Sequence, residues 1–171
     1  MGDKARIKHN VSAAGMGQSL STLCWYASYK MMLAWANDTT TDIKAGLAKN
    51  GLKWDELRSR GLYPEEFLRA ARAVGLYGLG VDFIKSYDWA TICERLRTFG
   101  PFWCAVDLED DGVIAPSHAV VVYGADEAMN TVFYMDPYKK PYDGDAEPSG
   151  WTLKQFQSNL VSTPYGVQIW P

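Results

Sequence analysis

Gly17-Gln18-Ser19-Leu20-Ser21-Thr22-Leu23-Cys24-Trp25-Tyr26-Ala27-Ser28 closes a Gly/Ser-rich loop and opens a strongly apolar helix. Trp25, Tyr26, Ala27, Met31, Met32, Leu33, Ala34, Trp35 and Ala36 leave this helix little polar surface. It is expected to span 24–36, buried nearly all round, with Asn37-Asp38 ending it. A thiol stands at the junction of loop and helix. The first turn of a helix presents unpaired N–H groups and a partial positive charge, and both favour an anion. The thiolate is the nucleophilic form of cysteine, so Cys24 is a candidate nucleophile. Gln18, six residues upstream, is a candidate oxyanion donor together with the backbone N–H of Cys24.

Two β-rich runs lie further along the chain. Ser117-His118-Ala119-Val120-Val121-Val122-Tyr123-Gly124 and Thr131-Val132-Phe133-Tyr134-Met135-Asp136-Pro137 read as strands flanking the polar stretch Asp126 to Asn130. A hairpin centred near residue 127 sets His118 opposite Asp136, with Cβ atoms roughly 4.5–5.5 Å apart. A carboxylate there holds the imidazole tautomer and stabilises imidazolium, the part an orienting group plays beside a base. The chain has only 2 histidines, and one of them meets an aspartate in this register. Nucleophile, base and orienter are then all present, each at the end of an element. Trp25 and Ser117, the chain neighbours of Cys24 and His118, are expected to contact substrate.

Between these motifs the elements change character. Thr41-Asp42 caps a short helix ending before Gly51, and Trp54 to Arg60 makes a turn or two that Gly61 stops. Pro64 to Gly75 reads as one helix, with proline in its first turn, Glu65 and Glu66 at its positive end and Gly75 at its C-terminal cap. Tyr77 to Ile84 suggests a strand, and Asp88 caps a helix over Trp89 to Phe99. Phe102 to Val106 is a buried strand. Cys93 and Cys104 are core residues. Leu108-Glu109-Asp110-Asp111-Gly112 reads as a solvated acidic loop, and Pro137 to Gly150 as a mobile loop bordering the cleft. Trp151 to Leu160 holds a short helix and Tyr165 to Trp170 a last strand. Helices come first and strands later, which points to the α+β class, with a helical N-terminal part packed on a mostly antiparallel sheet.

Composition narrows the function classes. At 171 residues, residues 1–171 fit a single domain, with 1–16 as an extended lead-in. The net charge of −3 argues against nucleic acid as a main ligand. An odd number of cysteines, 3, makes no disulfide framework and suggests a reducing compartment. There is no signal peptide and no apolar run of transmembrane length, so no membrane partner is expected. His9 is expected to be a solvated surface residue. No ligand spacing joins the histidines and cysteines, so no metal and no cofactor is called for.

Gln18…Cys24-Trp25 before an apolar helix, then His118-Ala119-Val120-Val121-Val122-Tyr123-Gly124, then Tyr134-Met135-Asp136-Pro137, resembles the papain-like cysteine peptidases. The chain is most similar to their compact bacterial forms, the bacteriocin-leader peptidases and the effector or toxin proteases. Ser21-Thr22-Leu23 stands where the plant-type signature has Cys-Gly-Ser/Ala, and the third member is Asp rather than Asn. Trp25, where leader peptidases commonly have glycine, favours the effector-like forms. The resemblance implies Cys24 as nucleophile, His118 as base and acid, Asp136 as orienter and Gln18 as oxyanion donor. It also implies a secreted effector, held in the bacterial cytoplasm before export. Such an effector acts as a monomer on a protein or peptide substrate in the cytoplasm of a target cell. A cognate immunity protein would act as inhibitor at the cleft. Two other readings stay open. A Cys-His-Asp acyltransferase, transglutaminase or deamidase would carry the same triad, and a non-catalytic binding module would keep the fold.

Overall fold

Phe102–Val106 is buried along its whole length because the sheet it belongs to is covered on both faces. In the computed structural model, which describes residues 4–79, 87–108, 118–138 and 144–171, that strand is the third of seven. The strands are β1 Arg6–Lys8, β2 Tyr77–Gly78, β3 Phe102–Val106, β4 His118–Asp126, β5 Thr131–Asp136, β6 Glu147–Trp151 and β7 Val167–Ile169. The helices are α1 Cys24–Trp35, α2 Ile43–Lys49, α3 Trp54–Arg60, α4 Phe67–Ala73, α5 Trp89–Phe99 and α6 Leu153–Asn159, with a 3₁₀ turn over Pro64–Glu66. The sheet order is β2-β7-β3-β4-β5-β6, and β1 pairs with the far end of β4. Every described pairing is antiparallel. The architecture is α+β, as the segregation of helices and strands along the chain suggested.

Side-chain alternation divides the core in two. Trp103, Ala105, Ala119 and Val121 face α1 and the helices that follow it. Phe102, Cys104, Val106, Val120 and Val122 face α5 and α6 on the other side. The alternation slips once. A bulge between Val122 and Gly124 changes the parity, so Ala125 joins the same core as Val120 and Val122. Gly124 also lets β1 lie close, since a Cβ there would sit 3.0 Å from the Ile7 carbonyl oxygen.

Most of the expected elements form where local chemistry favours them. Asp42 and Asp88 accept hydrogen bonds from the Ala45 and Thr91 N–H groups at 3.0 and 2.8 Å, capping α2 and α5. The expected helix from Pro64 to Gly75 is instead a 3₁₀ turn followed by α4. The Glu66 side chain turns back to Arg60 and to the Tyr63 N–H, which tightens the first turn. The expected strand from Tyr77 holds only Tyr77–Gly78 among the described residues, and 80–86 lie outside them. The expected lead-in contains β1. The loop expected from Pro137 to Gly150 ends in β6, paired with β5 from Val132↔Trp151 to Asp136↔Glu147. His9 is not a solvated surface residue. Its Nε2 hydrogen-bonds the Leu96 carbonyl at 2.7 Å, and its ring meets Trp35 edge-on.

Candidate active site

Cys24 is the first residue of α1, and the Ala27 N–H donates to the Leu23 carbonyl at 3.0 Å to start the helix. The first turn holds no acidic residue, so nothing on the helix offsets its positive end beside the thiol. Of the 3 cysteines Cys24 is half-buried, whereas Cys93 and Cys104 are buried. Burial pushes the Cys104 thiol up, which keeps it protonated.

His118 opens β4 and Asp136 closes β5. The two are not directly opposite, as a simple hairpin would have them. The observed register pairs Val121 with Met135 and Val122 with Tyr134, so His118 lies diagonally across from Asp136, two positions beyond its cross-strand partner. The closing pair Asp126↔Thr131 centres the turn between residues 128 and 129 rather than at 127, and the bulge at Val122/Gly124 takes back one position of that shift. Both side chains still leave the same face, and the diagonal is within reach of a histidine. The Nε2–H of His118 donates to Asp136 Oδ1 at 2.6 Å, and the Tyr138 N–H donates to the same oxygen at 2.8 Å. Cys24 and His118 line the same cavity, and the thiol acts electrostatically to raise the imidazole pKa. The His118 side chain is 10 % exposed and that of Asp136 21 %.

Two opposing effects act on the imidazole. Burial is the largest and lowers its pKa; the Asp136 hydrogen bond, then the thiol and charge of Cys24, and last the charge of Asp136 raise it. The balance leaves it raised to about 9. His118 therefore carries its proton at neutral pH, as the partner of an anion should.

Gln18 lies in the arm leading to α1, 1 % exposed. The arm is tied to the segment after β5. The Gly17 N–H donates to the Gly144 carbonyl at 2.9 Å and the Gln18 N–H to the Pro137 carbonyl at 2.8 Å. A Cβ on Gly17 would lie 2.6 Å from the Gly144 oxygen, so only glycine fits there. One N–H of the Gln18 side chain donates to the Leu20 carbonyl at 2.9 Å. Gln18 does not line the cavity beside Cys24, and its Oε1 has no partner among the described residues.

That cavity has a volume of about 170 Å³. Cys24, Trp25, Ser21 and Thr22 form one side, and His118, Ala119 and Ala105 the other. Leu62, Phe67 and Trp103 make an apolar floor, with Arg60 beside them. The Arg60 guanidinium is not free. It donates to Glu66 Oε2 and Oε1 at 2.9 and 2.7 Å, and Glu66 also accepts the Tyr63 N–H at 2.9 Å. Hydrogen bonding from Arg60 is the main reason the Glu66 carboxyl is held below its ordinary range. This pair fixes the loop carrying Leu62. Its six-residue separation matches neither helix nor strand spacing, so the sequence gives no signal for it.

Trp25 is buried at the cavity wall, its ring meeting Tyr26, Tyr29 and Trp54 edge-on. Ser117 and the acidic residues Glu109, Asp110 and Asp111 lie outside the described residues, as does Asp143. Among the described residues no group of three His, Cys, Asp or Glu gathers to hold a metal, and no helix is long and apolar enough to cross a membrane.

The arrangement joins a thiol at a helix N-terminus, a protonated imidazole and a carboxylate beside an apolar cavity, which is the equipment of thiol acyl transfer. A search of curated proteins finds no match. A family model described as papain-like cysteine protease AvrRpt2 matches residues 6–161. The chain belongs to that family of papain-like cysteine proteases.

Proposed function

We propose that the protein is a cysteine endopeptidase in which Cys24, His118 and Asp136 act as one catalytic unit, with Gln18 and the Cys24 N–H binding the oxyanion. The observation that carries this reading is the imidazole hydrogen-bonded to Asp136 and lining the same cavity as Cys24. The Cys24 thiolate attacks the scissile carbonyl carbon, forming a C–S bond and moving the carbonyl electrons onto oxygen. As the intermediate collapses the C–N bond breaks, and the leaving amine takes the proton from His118. Water then adds to the thioester, giving its proton to His118. The C–S bond breaks, releasing the acid and restoring the thiolate. Asp136 keeps the imidazole in the required tautomer throughout.

The cavity beside Cys24 takes an apolar side chain of the substrate next to the scissile bond, as its floor of Leu62, Phe67 and Trp103 suits. Residues 1–171 work as one domain and as a monomer on a protein substrate, without nucleic acid or membrane. The protein is a secreted bacterial effector, a toxin acting in the cytoplasm of a target cell. A cognate inhibitor protein seats over the cavity in the producer.

The test is the rate of Cys24 alkylation against pH in wild type and His118→Ala, with new peptide N-termini counted in a cell lysate treated with wild type or Cys24→Ala. Fast alkylation near pH 6 that His118→Ala abolishes, with new N-termini only for wild type, is the expected result. Slow alkylation with an ordinary thiol profile overturns the triad. A reactive Cys24 that generates no new N-termini overturns the peptidase reading. Expressed in a cell without an inhibitor, the wild type is expected to be harmful and Cys24→Ala harmless.

A further inference from the structure

Ser28 lies one helical turn after Cys24 and is fully buried. Serine is less favourable than alanine in a helix interior, and its hydroxyl often turns back to the carbonyl four residues earlier. Here that carbonyl would be the one of Cys24. Instead Ser28 Oγ crosses to β4 and donates to the Ala119 carbonyl at 3.1 Å.

The Ala119 carbonyl needs this donor. Across β3, Ala105 gives its N–H to the Gly166 carbonyl at 2.7 Å rather than to Ala119. On the other side the β4–β5 ladder stops at Val121↔Met135. Continuing that register sets Pro137, which has no N–H, across from Ala119. A buried carbonyl without a partner is costly, and Ser28 fills the gap.

We propose that Ser28 is a positioning residue for the reaction, setting the separation of Cys24 and His118 through the Ala119 carbonyl. Cys24 and Ser28 share one helix face about 6 Å apart along the axis, while Ala119 directly follows His118. The helix and the strand are thus joined by two rungs. The upper is the reacting pair, and the lower is a fixed hydrogen bond beneath it. No other hydrogen bond described between α1 and the start of β4 sets this spacing. The proposal rests on the reading of Cys24 and His118 as a reacting pair.

The experiment measures alkylation of Cys24 by iodoacetamide from pH 5 to 10 in wild type, Ser28→Ala, Ser28→Cys and His118→Ala, with the unfolding temperature of each. Ser28→Cys keeps the volume and weakens the bond, so it stands in should Ser28→Ala fail to fold. Both Ser28 variants are expected to lose about tenfold in rate at pH 6, where attack depends on the imidazolium partner. They should match wild type near pH 10, where thiols ionise unaided. A purely structural role would lower the unfolding temperature and leave the acid limb in place. A rate at pH 6 within twofold of wild type in a folded Ser28 variant overturns the proposal. Absence of a His118-dependent acid limb in the wild type would overturn the triad itself, and the His118→Ala comparison reads that outcome without reference to Ser28.

Discussion

His118 reaches Asp136 through Nε2, at 2.6 Å, along the diagonal of the β4–β5 pair. Nδ1 is thereby the ring nitrogen left for Cys24. The carboxylate does two things at once: it fixes which nitrogen faces the thiol, and it helps hold the imidazole protonated against the cost of burial.

Asp136→Asn separates these two effects. The amide oxygen can still accept the Nε2–H and the Tyr138 N–H, but the charge is gone. The pKa of His118 is expected to fall from about 9, and kcat/KM to drop roughly ten- to a hundredfold. Proton NMR titration checks the first effect, helped by the presence of only 2 histidines. Peptidase assays check the second. An unchanged titration would show that the carboxylate only orients the ring.

Folding stability should depend on the same group. The His118 pKa is 6.5 when unfolded and about 9 when folded. The folded state therefore binds the extra proton between these values. The stabilisation is fully present below about pH 6.5 and is lost as pH rises through about 9. Its size is at most about 3 kcal/mol. Urea midpoints from pH 6 to 9.5, compared between wild type and His118→Asn, should show a decline confined to the wild type.

Gln18 can be tested by a split between two reactions. Peptide hydrolysis develops an oxyanion, whereas alkylation by iodoacetamide displaces iodide at a saturated carbon and develops none. Gln18→Ala is expected to lower kcat by about 10²–10³ and to leave the alkylation profile unchanged. Gly17→Ala should act in the same direction, since its Cβ would meet the Gly144 oxygen at 2.6 Å and displace the neighbouring amide.

The cavity predicts specificity. Ala105→Val adds two methyl groups to its wall. Peptides with a large apolar side chain beside the scissile bond should lose roughly tenfold or more in kcat/KM, while those with a small side chain lose little. Equal losses for both would place the substrate side chain elsewhere.

How much was legible in the sequence depended on whether a residue's role is local. Cys24 at a loop–helix junction, the caps Asp42 and Asp88, and the apolar strand Phe102–Val106 carry their meaning within a few residues. β6 does not. Glu147-Pro148-Ser149-Gly150 has two residue types that strands avoid, and it becomes a strand because β5 offers hydrogen bonds and the sheet edge tolerates proline. The His118–Asp136 contact was legible although its register was not. The run Val120 to Tyr123 shows no sign of a bulge, and only the approach of β1 explains Gly124. The cavity and the Arg60–Glu66 pair were hidden altogether, because their residues come from separate elements and meet only after packing.

The unequal burial of the three thiols has a practical consequence. With Cys93 and Cys104 sealed inside the core, the native protein offers an electrophile a single address. Any covalent ligand directed at Cys24 would add one increment to the mass of the whole chain. The fraction of molecules occupied could then be read without proteolysis, engineered sequence changes or a known substrate.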